Sequence, residues 1–383
     1  MRIAHIVTRM VRGGTERNVA HMVGWQRRAG HDVTVFAGAN ADLGLLGDGM
    51  MIREIPDLVR EPSVHRDARA IRHLRRAFDT QLFDVIHTHQ SKAGIVGRLA
   101  ARPNMHAVVH TVHMPSFGPA YGSMSPALLA AERYCARRTD MLVTVGEELR
   151  RQYLAAGVGC PENYVVLRSP IKVEHLLRLR GLTADQRRER RAMFDVDPDR
   201  PTIVSVGALE PRKRHGLLIS AIAPLLESNA INVLIAGDGP NRDRLETTIA
   251  NTAGGEAVRM LGHVEAIDDV YAVADLLVQT STTEGVPQTV VQALAAGVPV
   301  VATRTPGLDE VGAGAVFVAR PDGADLTGAI TSALERPTVL PDARSFKPWT
   351  APYIEDRFIE LHGVLSHIVD GKRKRPPARY PPT

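Results

Sequence analysis

Three hundred and eighty-three residues exceed one ordinary hydrophobic core and suit two domains of about 150–200 residues each. A chain that is 44% hydrophobic and 23% charged is neither disordered nor collagen-like, and its 4% aromatic content argues against binding single-stranded nucleic acid on aromatic platforms. The net charge of +5 is split: +8 over residues 1–178, −6 over 179–345 and +3 over the remainder.

A basic first half and an acidic second half suggest different partners, with nucleic acid, an anionic lipid surface or an anionic substrate as options for the first. Of the 47 basic residues 41 are Arg, a preference that codon bias explains but that leaves the split unexplained. Cys135 and Cys160 cannot build a disulfide framework or a four-thiolate zinc site. Ile3–Val7 is too short for a signal or membrane segment, and the longest apolar runs, such as Ala293–Ala302, contain Gly and Pro. The expectation is a cytoplasmic protein that neither spans a membrane nor is exported.

Short apolar runs predict buried strands at Ile3–Val7, Val33–Ala37, Val85–His87, Ala107–His110 and Met141–Val145. Helices fit between them at Thr15–Ala29, Ser91–Ala101 and Ser125–Arg138. This is a βαβ pattern, hence a parallel sheet covered on both faces. A second strand set follows at Thr202–Val206, Asn232–Ala236, Val258–Leu261, Leu276–Gln279, Val298–Ala302 and Ala315–Val318. Its helices are Gly216–Ser228, Arg242–Thr252, Asp268–Ala274, Pro287–Ala296 and Asp325–Glu335. The charged stretch 172–200 separates the sets.

The fold expectation is therefore α/β, with two Rossmann-like doubly wound domains and a ligand cleft between them. The boundaries predicted are 1–175, 176–348, a crossover helix at 349–371 returning to the first domain, and a basic Pro-rich tail at 372–383.

Five places carry chemistry. Gly13-Gly14 precedes a helix, where backbone amides favour anions, although a plain tight turn is the commoner use of Gly-Gly. His87-Thr88-His89 and His110-Thr111-Val112-His113 end two strands. They lack the carboxylate or Cys partners of a metal site, so no metal is expected and they read as polar contacts to a substrate, at least two of the four being structural. Arg212-Lys213-Arg214 precede a helix start, where cations oppose the helix dipole unless an anion such as a diphosphate sits there. Gly237-Asp238-Gly239-Pro240 closes another strand. Thr283-Glu284-Gly285-Val286-Pro287 leads into an apolar helix, with Gln292 eight residues after Glu284.

In their order, these segments resemble the retaining GT-B glycosyltransferases of family four, from residue 1 to about 370. The carriers are Gly13-Gly14 with Glu16, the stretch from His87 to Gly94, His110–His113, Arg212-Lys213, Ala236–Pro240, and Thr283–Pro287 with Gln292-Ala293-Leu294. Leu261–Val264 and Ala274-Asp275 fall where the family has short signatures. The resemblance implies a nucleotide-sugar in the C-terminal domain and the acceptor in the N-terminal one. It implies catalytic roles for His113, Lys213 and Glu284. Donor binding would involve Gly13, Gly14, Arg212, Lys213, Gly237, Glu284, Gly285, Val286, Pro287 and Gln292. Glu16, His89 and Lys92 would meet the acceptor.

No cofactor is implied beyond a UDP- or GDP-linked donor substrate. Transfer would be of a hexosyl group, with retention, to a lipid-linked or polysaccharide acceptor in cell-envelope glycan synthesis. The alternatives are a catalytically weak GT-B nucleotide-binding subunit and a sugar-nucleotide enzyme with a small soluble acceptor. Three departures bear on them: Gln292 where the family has a second glutamate, Ala208 where it often has Arg, and Pro170-Ile171-Lys172 at the junction.

Residues 64–78 form a basic amphipathic helix with Val64, Ala68, Ile71, Leu74 and Phe78 in one stripe. Either the stripe packs on the domain, or its arginines meet an anionic membrane surface and place the protein at the inner face. No nucleic-acid motif occurs.

Overall fold

The computed structural model describes residues 1–10, 13–39, 41–42, 50–311, 316–320, 322–336 and 338–374. The strands are β1 (Arg2–Val7), β2 (Asp32–Ala37), β3 (Met51–Glu54), β4 (Val85–His89), β5 (Ala107–Val112), β6 (Met141–Thr144), β7 (Tyr164–Val166), β8 (Thr202–Val206), β9 (Asn232–Ala236), β10 (Val258–Gly262), β11 (Leu276–Gln279), β12 (Val300–Thr303) and β13 (Val316–Ala319). The helices are α1 (Gly14–Arg28), α2 (Val64–Thr80), α3 (Ser91–Ala100), α4 (Ser125–Ala136), α5 (Glu147–Ala155), α6 (Val173–Arg178), α7 (Ala184–Ala192), α8 (His215–Glu227), α9 (Arg242–Ala250), α10 (Ile267–Val273), α11 (Gln288–Ala295), α12 (Leu326–Glu335) and α13 (Ala351–Arg373). They form two compact units, Met1–Pro170 with the chain from Pro352 onward, and Ile171–Ala351.

The first unit is a seven-stranded sheet in the order β3-β2-β1-β4-β5-β6-β7. All its pairings are parallel, with Ile3 opposite both Val33 and Val85. The central strands β4 and β5 are buried along their length because both faces are covered. β3 and β7, which the sequence pattern does not reveal, are the two edge strands, of four and three residues. Helix α1 carries Glu16 in its first turn and Arg27 and Arg28 in its last, matching the helix dipole at both ends. Helix α2 turns Ala70, Leu74, Ala77 and Phe78 inward and leaves Arg66, Arg69, Arg72, Arg75 and Arg76 exposed. The Phe78 ring packs edge-on against Phe36 and Phe83 at about 6 Å.

The second unit is a six-stranded parallel sheet in the order β10-β9-β8-β11-β12-β13. It starts at Ile171, earlier than the 176 read from the sequence, because Ile171, Val173 and Leu176 are part of its core. The charged stretch 172–200 is accordingly no linker. Its arginines dock on carbonyls at helix C-termini. Arg180 donates to Leu294 O at 2.6 Å and Ala295 O at 2.9 Å at the end of α11, and Arg187 to Ala272 O at 3.1 Å in α10.

Helix α13 packs on the first unit through Ile354, Phe358, Leu361, Leu365 and Val369, which join β1, β2 and α1 residues in one apolar cluster. It reaches Arg373, past the 371 boundary expected, because the first residues of the basic tail have partners. Lys372 Nζ donates to Asp140 Oδ2 at 2.6 Å and His106 O at 2.8 Å, and Arg373 pairs with Asp84. The tail from residue 375 lies outside the described residues. Among the described residues no helix is long and apolar enough to cross a membrane.

One ion pair in the first unit is fully buried. Arg98 Nη2 donates to Glu132 Oε2 at 2.7 Å, and the Ser116 hydroxyl donates to Glu132 Oε1 at 2.9 Å. Ser116 follows His113 by three residues, so this pair tethers the chain after β5. Replacing Arg98 by Met leaves Glu132 without its cation. We expect a loss of about 3–5 kcal/mol in urea unfolding; a change under about 1 kcal/mol contradicts this role.

Candidate active site

In open parallel sheets, ligands gather beyond strand C-termini where the strand order reverses. In the second unit the reversal lies at β8, which pairs with β9 on one side and β11 on the other. The loops after these three strands carry Arg212-Lys213, Gly237-Asp238-Gly239 and Glu284-Gly285.

After β8 the chain makes one 3-10 turn, Pro211–Lys213, and enters α8 through Arg214 in the left-handed conformation, φ 50°. The turn is stitched to the loop after β11. Thr282 N donates to Arg212 O at 2.8 Å, and the Thr280 hydroxyl to Lys213 O at 2.7 Å. These bonds aim Lys213 and Arg212 at Glu284. Lys213 Nζ donates to Glu284 Oε1 at 2.6 Å, and Arg212 Nη1 stands 3.4 Å from both carboxylate oxygens. Arg212 Nε also donates to Glu210 at 3.0 Å.

The Lys213 and Glu284 side chains are each 12% exposed. Burial pushes the Glu284 carboxyl up, but the Lys213 and Arg212 charges outweigh it and hold the group below its ordinary value. Arg214, read from the sequence as a third cation of this site, instead donates through Nε to Thr280 O at 2.7 Å, because its left-handed backbone turns it along the loop.

The glycines have a steric reason. A Cβ on Gly237, φ 151°, would lie 1.9 Å from Gly207 O. One on Gly307, φ 76°, would lie 1.9 Å from Gly285 O. Two pairs of loops thus touch backbone to backbone, bringing the amide-rich loops together. Gln292, in α11, is half-buried and accepts from the Tyr271 hydroxyl at 3.3 Å.

In the first unit the strand order reverses at β1, between β2 and β4. Gly13 precedes α1 after β1, and a Cβ there would lie 2.5 Å from Glu16 Oε2. Glu16 folds back and is buried, accepting from Gln90 Nε2 at 2.8 Å. Gln90, in turn, accepts through Oε1 from Thr8 N at 2.9 Å and Arg9 N at 3.3 Å. Lys92 is drawn onto Asp67 at 2.6 Å. Of the acceptor contacts expected, Glu16 is therefore committed to the loop and Lys92 to an ion pair.

His89 requires a correction. It is fully buried, and both ring nitrogens are engaged, Nε2 with His5 Nδ1 at 2.9 Å and Nδ1 with His113 Nε2 at 3.2 Å. His87 and His110 are likewise buried, on Thr111 Oγ1 and Thr88 Oγ1. They sit mid-sheet because β4 continues two residues past His87, and β5 two past His110. Of the four strand-end histidines only His113 keeps an exposed edge.

His5 is absent from the sequence-derived set. It lies mid-strand, and only its register opposite His87 brings it to the cluster. Nitrogens of His5, His87 and His89 lie within 4.8 Å of one another. Burial depresses His5 and His113 to about 4 and His87 and His89 well below their ordinary value, so all four are neutral at pH 7.

Similarity to known proteins covers most of the chain. Residues 13–169 match the model described as glycosyl transferase 4-like domain, and residues 186–347 the model described as glycosyl transferases group 1. The chain is 26% identical over 294 residues to EpsD of Bacillus subtilis, named as a glycosyltransferase, with 75% of each chain covered. It is 24% identical over 268 residues to an Escherichia coli UDP-Gal:alpha-D-GlcNAc-diphosphoundecaprenol alpha-1,3-galactosyltransferase, with 68% of each covered. Among solved structures, HepE of Anabaena in complex with UDP and glucose superposes with a TM-score of 0.76 at 20% identity, covering 95% of this chain and 99% of HepE. WaaG, a glycosyltransferase of lipopolysaccharide biosynthesis, gives 0.71 at 16% identity, covering 97% of this chain and all of WaaG.

Two outcomes follow. Gly237→Ala forces backbone apart and should destabilise the second unit by roughly 2–4 kcal/mol in denaturant unfolding; an unchanged midpoint refutes the close approach. The histidines give a pH signature. Their folded values lie below the unfolded 6.5, so the unfolded chain takes up protons first on acidification. Stability should be full above about pH 6.5 and decline toward pH 4, by about 3 kcal/mol for His5 alone. A flat urea midpoint between pH 6.5 and 4.5 contradicts it.

Proposed function

The chain belongs to the glycosyl transferases group 1, and from that we propose that it moves a hexosyl group, with retention, from a nucleotide-sugar to a lipid-linked or polysaccharide acceptor of the cell envelope. The observation that carries the reading is the Lys213–Arg212–Glu284 cluster at the reversal point of the second sheet. Two cations held on one carboxylate are preorganised. When a diphosphate enters, Lys213 and Arg212 can stabilise the charge that develops on the leaving group, the largest electrostatic demand of the reaction. Glu284, released from part of its ion pairing, is placed to accept from sugar hydroxyls and orient the anomeric carbon. Gly237 lies in the loop after β9, and Gly285, Val286 and Pro287 lie in the loop after β11 that carries Glu284. The start of α11 after Pro287 presents the positive end of its helix dipole to a phosphate or ribose oxygen. Gln292 supplies a neutral contact in that helix.

The acceptor is assigned to the first unit, with Gly13, Gly14 and His113 contributing to recognition of the transferred sugar. The Escherichia coli relative named above acts on a diphosphoundecaprenol-linked sugar, which supports a lipid-linked acceptor here. The donor is taken as UDP- or GDP-linked, without further cofactor. The arginine face of α2 is proposed to meet anionic headgroups, each basic residue contributing about 1 kcal/mol near such a surface.

Lys213→Ala should lower kcat/KM by about 10²–10³-fold with the fold intact; an unchanged value refutes the role. Titration calorimetry with UDP and GDP should show one of them binding the wild type, and silence for both removes the enzyme reading. Flotation with liposomes should recover more protein with anionic lipid than without; equal recovery removes the membrane contact.

A further inference from the structure

The first unit contains a continuous buried line of hydrogen bonds that the transfer chemistry above does not use. It runs from His113 Nε2 to His89 Nδ1 at 3.2 Å, from His89 Nε2 to His5 Nδ1 at 2.9 Å, and from His5 Nε2 to Gln26 Oε1 at 2.7 Å. Gln26 Nε2 then meets His362 Nε2 at 3.2 Å, and His362 Nδ1 meets Phe358 O at 2.8 Å. The line crosses from β5 through β4 and β1 to α1 and ends on α13. His5, Gln26 and His89 are at most 1% exposed and His362 is 6% exposed.

The far end fixes every proton along it. A carbonyl only accepts, so His362 carries its proton on Nδ1. Neutral His362 then has a lone pair on Nε2, which needs a donor, so Gln26 presents its NH2 there and its oxygen to His5. His5 must donate through Nε2, leaving Nδ1 to accept from His89 Nε2. His89 Nδ1 must in turn accept from His113 Nε2. The reverse orientation would need both nitrogens of His362 protonated, a buried imidazolium with no carboxylate among the partners named here. Burial opposes that charge and holds His362 at about 4.

We infer that the Phe358 carbonyl, acting through His362, Gln26, His5 and His89, holds His113 as the tautomer protonated on Nε2, so that His113 offers its Nδ1 lone pair as an acceptor to a hydroxyl-bearing ligand. His362, Gln26, His5 and His89 are positioning residues. The inference rests on the proposed function only in naming that ligand as the transferred sugar. There it has a specificity consequence: a neutral acceptor nitrogen welcomes a sugar hydroxyl and repels the carboxylate of a uronic acid. A metal shared by His5 and His89 is the competing use of these rings. Two nitrogens bound tetrahedrally at about 2.0–2.1 Å would stand roughly 3.3 Å apart, wider than the 2.9 Å observed.

The test is two-bond 1H–15N correlation NMR on the full chain labelled with [15N]histidine, at pH 7.5 and without nucleotide. His5, His89 and His113 should appear protonated on Nε2, and His362 on Nδ1. A proton on Nδ1 of His113, or a mixture, overturns the inference. So does one equivalent of metal in the purified protein with ligand-shifted His5 and His89 nitrogens. His362→Phe keeps the volume and removes the anchor. It should introduce the second tautomer at His113 while UDP affinity stays within about twofold of wild type. An unchanged His113 pattern in that variant overturns the anchoring. Because the wild-type spectra need no donor, a chain that fails to bind UDP would defeat the proposed function without altering this readout.

Discussion

The central constraint is the placement of one largely buried carboxylate between two cations. Glu284, Lys213 and Arg212 sit on loops that follow different strands, and only the parallel order of the second sheet brings those loops to one edge. Desolvating an ion pair is costly unless geometry and extra hydrogen bonds compensate. Here the compensation is visible. Threonine hydroxyls and amides fix the backbone of both loops, and Glu210 holds the far side of Arg212. Close backbone approaches at Gly237 and Gly307 hold the neighbouring loops in place. Glu284 thus keeps Lys213 and Arg212 ordered at the edge of the sheet.

The first unit answers a different demand. Its central strands are covered on both faces, so polar side chains there must satisfy each other. The histidines of β1, β4 and β5 do so by pairing with one another and with Thr88 and Thr111. Helix α13 supplies the last acceptor, through a backbone carbonyl. The chain's C-terminal helix thereby contributes to the electrostatics of a strand end far from it in sequence, as well as covering the apolar core.

The sequence already shows most of the architecture. Its apolar runs locate eleven of the thirteen strands, and the two it misses are short edge strands of four and three residues. Cations before a helix start mark the turn at Lys213, because ordinary helix electrostatics disfavours them there. Remote contacts leave no local signal. Nothing local shows that Arg180 and Arg187 dock on helix ends, so 172–200 reads as a linker. Nothing local shows that β4 continues past His87, so His89 reads as a surface group. His5 and Gln26 have meaning only through partners 84 and 336 residues away. The charge split is legible yet misleading alone: the acidic second unit carries the cationic cluster, since two placed residues matter more than the sum.

The central question is what Lys213 does when a nucleotide arrives. A crystal structure with bound UDP or GDP measures this directly. The predicted result is a β-phosphate within hydrogen-bonding distance of Lys213 Nζ and Arg212, at the loops after β8 and β11, with Glu284 turned toward solvent or sugar. A nucleotide bound elsewhere, with the 2.6 Å Lys213–Glu284 contact undisturbed, would contradict it.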